Sequence, residues 1–159
     1  MTYQPTTGGR GHCIRDGVTQ SRAPAVKIRT SADVYALLRE RLAPLYHEQL
    51  IAVGLDCRGR AIREILIAQG GLTGCVMSPR DAFRRILAEP VATFVLVHNH
   101  PSGDPAPSVE DARLTERMDA AARLLGLPML DHVIIGADGY FSFADAGLLI
   151  PSEAIESAR

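Results

Sequence analysis

The residues best suited to chemistry lie between positions 98 and 111, where the chain reads HNHPSGDPAPSVED. His98 and His100 are two positions apart on a predicted strand, so their side chains point to one face with backbones about 6.6 Å apart. Prolines stiffen the connection that follows, and Gly103 allows it to turn. Asp111, in the opening turn of the next predicted helix, can therefore return beside the end of the strand.

Two neutral imidazoles and one carboxylate form a ligand set that suits a catalytic metal. A zinc ion held by them keeps a net charge of about +1, which favours ionisation of a bound water, whereas four thiolates would leave about −2. Three protein ligands leave a fourth position for water, whose pKa the metal lowers to about 7. We therefore predict that His98, His100 and Asp111 bind one Zn²⁺ per chain.

A structural interpretation of the same residues needs no metal. Ser108 and Asp111 have the spacing of a capping box at a helix start, and either histidine alone is more often a core residue bonded to backbone. The two interpretations are compatible for Ser108, because its hydroxyl can accept from a backbone N–H while its own proton stays free for a substrate oxygen. The four residues together favour the metal site.

The pattern His98-x-His100-Pro101-x-Gly103-x4-Ser108-x2-Asp111 matches the JAMM signature of the JAB/MPN metallopeptidase family without a departure. The string HNHPSGDPAPS resembles the RadC-like bacterial branch of that family. The resemblance extends over roughly residues 30–150, through the segments GLDCRG, SPRDAF, LDHVIIG and SFADAG. It implies a mixed α+β (α/β) fold, a three-layer arrangement like that of cytidine deaminases, in which helices flank a central mixed β-sheet.

The resemblance also implies roles for individual residues. Ser108 would support the transition state, and an upstream glutamate would activate the water. Glu48 and Glu64 are both candidates, and both lie on predicted hairpin strands. Glu48 precedes the Leu-Asp turn, as in the RadC-like pattern, whereas Glu64 follows that turn among residues that alternate towards solvent. We therefore predict Glu48 as the base.

These roles describe the hydrolysis of an amide. Glu48 would accept a proton from the water and later deliver it to the departing amine, while Ser108 donates a hydrogen bond to the developing oxyanion. The expected substrate is a peptide or isopeptide bond in a protein or peptide. The adjacent pair Asp131 and His132 also fits the family, but a histidine at a strand start is more often structural, so His132 is left out of the predicted site.

Hydrophobic spacing predicts the elements that must position these residues. Helices are expected from 30 or 31 to 44, from 78 through 87, and up to 126, and strands over 48–55, 61–68, 92–98, 129–135 and 140–143. The two strands at 48–55 and 61–68 should form a hairpin, because a short polar turn joins them.

The composition indicates the general class of the protein. Its 159 residues, with 47% apolar and 22% charged content, suit one globular domain over 30–159. Neither a membrane helix nor a secretory signal is evident, so we expect a soluble, cytoplasmic protein. The three cysteines form no CxxC pair, which excludes a thiolate zinc ribbon. Residues 1–29 carry a net charge of +4 and are predicted to be a flexible basic tail.

Two alternative functions remain open at this stage. One is a DNA repair or recombination factor, or a nuclease, because RadC-like proteins have long been named for repair. Against it, the predicted domain carries a net charge of −5 and the chain has no tryptophan, so nucleic acid is weakly supported as a partner. The N-terminal residues are also too few and too polar for the helical hairpin region of RadC-like proteins. The second alternative is a non-catalytic interaction scaffold.

Overall fold

A computed structural model describes residues 26–70 and 78–149. Every predicted helix and strand is present, with ends shifted by a residue or two. The elements are α1 (Ser31–Leu42), β1 (Gln49–Leu55), β2 (Ala61–Gln69), α2 (Pro79–Ile86), β3 (Thr93–Asn99), α3 (Val109–Leu125), β4 (Met129–Ile135) and β5 (Tyr140–Ser142).

The strands form one five-stranded sheet in the order β2-β1-β3-β4-β5. Strands β1 and β2 form the predicted antiparallel hairpin, and β1 also pairs antiparallel with β3. The sheet is mixed because β3 and β4 are parallel, and α3 supplies the crossover that a parallel pair requires.

Helices cover both faces of the sheet. On one face α1 buries Leu38 and Leu42 against a core that includes Val53 and Val97. On the other face α2 and α3 pack on a core that includes Phe83, Phe94, Leu96, Met118 and Ile134. The predicted fold class, mixed α+β with three layers, is confirmed.

Local sequence explains where the helices begin and end. Thr30 and Ser108 each close a capping box at the start of α1 and α3, and the one at Ser108 is predicted by its spacing to Asp111. Gly126 ends α3 with φ of 63°, a left-handed conformation that glycine adopts without a steric penalty. Ser78 precedes α2 as predicted, but its side chain makes no capping hydrogen bond.

The segment before α1 is only partly described. Residues 1–25 of the predicted flexible tail lie outside the described residues, as do residues 150–159. The end of that tail is attached rather than free, because the Ile28 N–H donates to the Gly59 carbonyl at 2.9 Å and Ala61 N–H donates to the Val26 carbonyl at 2.9 Å. This pairing was not predicted from the sequence, because a bridge of so few residues has no hydrophobic periodicity. Among residues 26–70 and 78–149, no helix is long and apolar enough to cross a membrane.

Candidate metal centre

The structure brings His98, His100 and Asp111 together at the end of β3. Each offers one ligand atom, and these atoms all lie within 4.8 Å of one another. The Nε2 atoms of His98 and His100 are 2.9 Å apart, so the two side chains do share one face of the strand. That face carries α3, because His98 follows Phe94 and Leu96, which pack on the α3 side. Asp111 reaches them from the first turn of α3.

The loop after β3 is fastened to the end of β4. The His100 N–H donates to the Ile135 carbonyl at 2.9 Å, and Ala137 N–H donates to the Gly103 carbonyl at 2.8 Å. Gly103 has φ of 85°, in the left-handed region that favours glycine. The chain can therefore turn back sharply enough for α3 to begin beside the two histidines.

This loop also sets which nitrogen of His100 faces the site. Its Nδ1 lies 2.8 Å from the Asp104 carbonyl oxygen, which can only accept, so Nδ1 carries the proton and donates. Nε2 is then the nitrogen that faces Asp111, 3.3 Å from its Oδ2. The hydrogen bond with Asp111 raises the pKa of His100. The position thus favours a positive charge, which a proton or a metal ion can supply.

Asp111 is buried and ionised. Its Oδ1 lies 3.1 Å from His98 Nε2, and Oδ2 accepts hydrogen bonds from the Ser108 N–H at 2.7 Å and the Ser108 hydroxyl at 2.6 Å. Burial alone would raise the pKa of the Asp111 carboxyl, but the adjacent imidazoles of His100 and His98 and the Ser108 hydroxyl hold it well below its usual range. A charged carboxylate is therefore available as a metal ligand.

The state of Ser108 differs from the prediction in one respect. Its oxygen accepts from the Asp111 N–H at 3.1 Å, as expected for a cap. Its proton, predicted to be free, is donated to Asp111 Oδ2 instead. The reason is that Asp111, at the third helical position, folds its carboxylate back over the helix start. Ser108 must leave this hydrogen bond before it can donate to a substrate oxygen.

The two candidate glutamates are placed differently relative to the sheet. Glu64 is paired with Val53, whose side chain packs on the α1 side, and Glu64 itself forms an ion pair with Arg41 of α1. It therefore lies on the face away from the histidines. Glu48 directly precedes β1, and the register that places Leu50 opposite His98 would, if continued past the strand ends, bring Glu48 opposite His100.

Two further observations concern Glu48. Its negative charge contributes to the raised pKa of His100, which places it near the site. The buried side chain of Asn99 accepts from Gln49 N–H at 2.8 Å and donates to the His47 carbonyl at 3.1 Å, which fixes the main chain on both sides of Glu48. Asn99 was not singled out from the sequence. Its place between the two histidines is the signal that could have drawn attention to it.

His132, left out of the predicted site, directly contacts it. Its Nε2 lies 2.9 Å from His98 Nδ1, and its side chain is fully buried. The parallel pairing of β4 with β3 sets His132 opposite Leu96, on the face that carries α3. Its position on a strand predicted to follow the crossover helix was the available signal, but the pairing partner of that strand could not be read from the sequence.

Gly136 is needed where the loop crosses β4. A Cβ added there would lie 2.4 Å from the Gly103 carbonyl oxygen and 2.7 Å from Pro105 Cδ. We expect Gly136→Ala to lower the free energy of unfolding by about 1–3 kcal/mol, because the loop must move, and to weaken metal binding. Urea unfolding and metal titration measure both effects. Gly139→Ala is the control, since a Cβ there meets no atom within 4 Å. Equal stability of the two variants would contradict the prediction.

The similarity to known proteins covers most of the described part of the chain. The sequence model of the family described as RadC-like JAB domain matches residues 28–148. A UPF0758 protein of Syntrophotalea carbinolica is 43% identical over 126 residues, 79% of this chain and 56% of the relative. Another, of Methanococcoides burtonii, is 44% identical over 79% of this chain and 55% of the relative. A third, of Clostridium perfringens, is 36% identical over 81% and 57% respectively. The chain spans little more than half the length of these relatives.

Proposed function

The chain belongs to the RadC-like JAB domain family, and from this membership we propose that it is a zinc-dependent hydrolase of peptide or isopeptide amide bonds. One observation carries the proposal: two imidazoles and a buried carboxylate converge at the end of β3. The substrate class, protein or peptide, is part of the proposal, as is the activity of any longer protein that contains this domain.

The spacing of the ligand atoms suits zinc. Zinc bonds of about 2.0–2.1 Å in a tetrahedral arrangement place neighbouring ligand atoms about 3.3 Å apart. The Nε2 atoms of His98 and His100 are 2.9 Å apart, and they lie 3.1 Å from Oδ1 and 3.3 Å from Oδ2 of Asp111, respectively. One ligand atom from each residue lies within 4.8 Å of the others, so the three side chains are close enough to share one ion after local adjustment. Zinc held there would lower the pKa of water and polarise a carbonyl oxygen.

Glu48 and Ser108 would supply the proton transfer and the hydrogen bond that amide hydrolysis requires. Glu48, whose charge acts on His100, would accept the proton of the attacking water and transfer it to the leaving amine. Ser108 is exposed at the start of α3, and its hydroxyl donates to the developing oxyanion after it releases Asp111. Asp111 remains fixed meanwhile by the Ser108 N–H.

The proposal is tested by zinc removal and return. Protein stripped with a chelator is titrated with zinc at neutral pH, and then incubated with a peptide library and with lysine-linked isopeptide conjugates, whose products are detected by mass spectrometry. We expect uptake of about one zinc per chain. Cleavage should stop when the metal is removed and resume when zinc is restored. Failure to take up zinc would overturn the proposal, and so would cleavage that survives complete removal of the metal.

A further inference from the structure

A chain of buried hydrogen bonds runs behind His98, on the side away from His100. His98 Nδ1 lies 2.9 Å from His132 Nε2, and His132 Nδ1 lies 2.6 Å from the Thr115 hydroxyl. The hydroxyl donates in turn to the main-chain carbonyl of Asp111 at 2.7 Å. His98, His132 and Thr115 are all buried, at 0%, 0% and 2% exposure. Solvent therefore supplies none of these partners.

The direction of each hydrogen bond follows from the last one. A carbonyl oxygen only accepts, so the single proton of Thr115 is committed to Asp111. His132 Nδ1 must then be the donor to the Thr115 oxygen. In a neutral imidazole the other nitrogen is an acceptor, so His132 Nε2 accepts from a protonated His98 Nδ1. The lone pair of His98 is left on Nε2, the atom that faces Asp111 and His100.

Packing also holds the His132 ring in place. The ring stacks on Phe143, with centroids 5.1 Å apart and planes inclined by 8°. This stacking fixes the plane of the ring, and the hydrogen bonds with His98 and Thr115 fix the direction of its two nitrogens.

We propose that Thr115 and His132 are positioning residues, which hold His98 in the tautomer and orientation that direct its Nε2 to a bound metal. The inference rests on the proposed function for the identity of the metal. The hydrogen bonds link the main chain of one proposed ligand, Asp111, to the ring of another, His98. Residues of α3 and β4 thereby fix the placement of a ligand on β3. Partners of this kind are worth about 10-fold to 100-fold in metal affinity.

Thr115→Val and Thr115→Ser form a matched pair of variants. Valine has nearly the shape of threonine but lacks the hydroxyl, so it interrupts the series of hydrogen bonds. Serine retains the hydroxyl. We expect Thr115→Val to weaken zinc binding by about 10-fold or more, and Thr115→Ser to stay near the wild-type affinity. Affinity is measured by competition with a chromophoric chelator. Circular dichroism and thermal unfolding establish that both variants are folded at the assay temperature.

Ring ¹⁵N chemical shifts of the histidines test the same series of hydrogen bonds. This measurement needs neither bound metal nor enzyme activity. In the zinc-free wild-type protein we expect a proton on His98 Nδ1, and on His132 a proton on Nδ1 and none on Nε2. An unprotonated His98 Nδ1 would overturn the inference, and so would unchanged zinc affinity in folded Thr115→Val. If wild-type protein takes up no zinc, the proposed function fails, while the ring shifts still decide whether the hydrogen-bond chain exists.

Discussion

Glu48→Gln is expected to slow zinc-dependent amide hydrolysis by about 10²-fold to 10⁴-fold, the usual contribution of a general acid or base. Glutamine has nearly the shape of glutamate but cannot accept a proton from water. Glu48 directly precedes β1 and is not one of the residues that converge as metal ligands, so the zinc content should stay unchanged. The measurements are kcat/KM on a cleaved substrate and zinc content by plasma emission.

Glu64→Gln is the matched control, because it makes the same chemical change on the opposite face of the sheet. Glu64 is paired with Arg41, and this ion pair is partly exposed, so its loss should cost little stability. The rate should remain near that of the wild type. A large loss in Glu64→Gln with a normal rate in Glu48→Gln would reverse the assignment of the base.

Asp111→Ala is expected to abolish stable zinc binding, from about one zinc per chain to none. Removal of a ligand should cost more affinity than the 10-fold to 100-fold typical of outer partners. The carboxylate is buried at 3% exposure against two imidazoles, so its loss removes a ligand that is already in place. Zinc content after gel filtration and chelator competition report the loss.

Asp111→Ala also affects the start of α3, so control variants are needed to separate stability from metal binding. Asp111→Ala also removes the capping box, which should cost about 1 kcal/mol of stability. Asp111→Asn retains an acceptor for the Ser108 N–H but is a poor zinc ligand, so it should lose zinc with a smaller loss of stability. Glu110→Ala removes an exposed acid from the same turn of α3 and should keep its zinc. Full zinc binding by Asp111→Asn and Asp111→Ala would show that the carboxylate is not a ligand.

Much of the architecture follows from the sequence, because the signals involved are local. The two-residue period of a strand places His98 and His100 on one face without knowledge of the neighbouring strands. The capping-box spacing places Asp111 in the first turn of α3, and the glycine after α3 ends the helix. The same local rules account for the order and limits of the helices and strands.

The tertiary structure decided which other residues reach the site. Whether Glu48 or Glu64 faces the histidines depends on the register of β1 with β2 and β3, and on which face α1 covers. His132 meets His98 only because β4 pairs beside β3 after a crossover, at a separation of 34 residues.

The hydrogen bond that the Ser108 hydroxyl donates also depends on the tertiary structure. Its spacing to Asp111 predicts the cap, but the direction of its own hydrogen bond depends on where the carboxylate lies once two imidazoles pack against it. Local periodicity predicts which face of its own helix or strand a side chain occupies. It does not predict which element will cover that face, because the packing of segments distant in the chain determines the covering element.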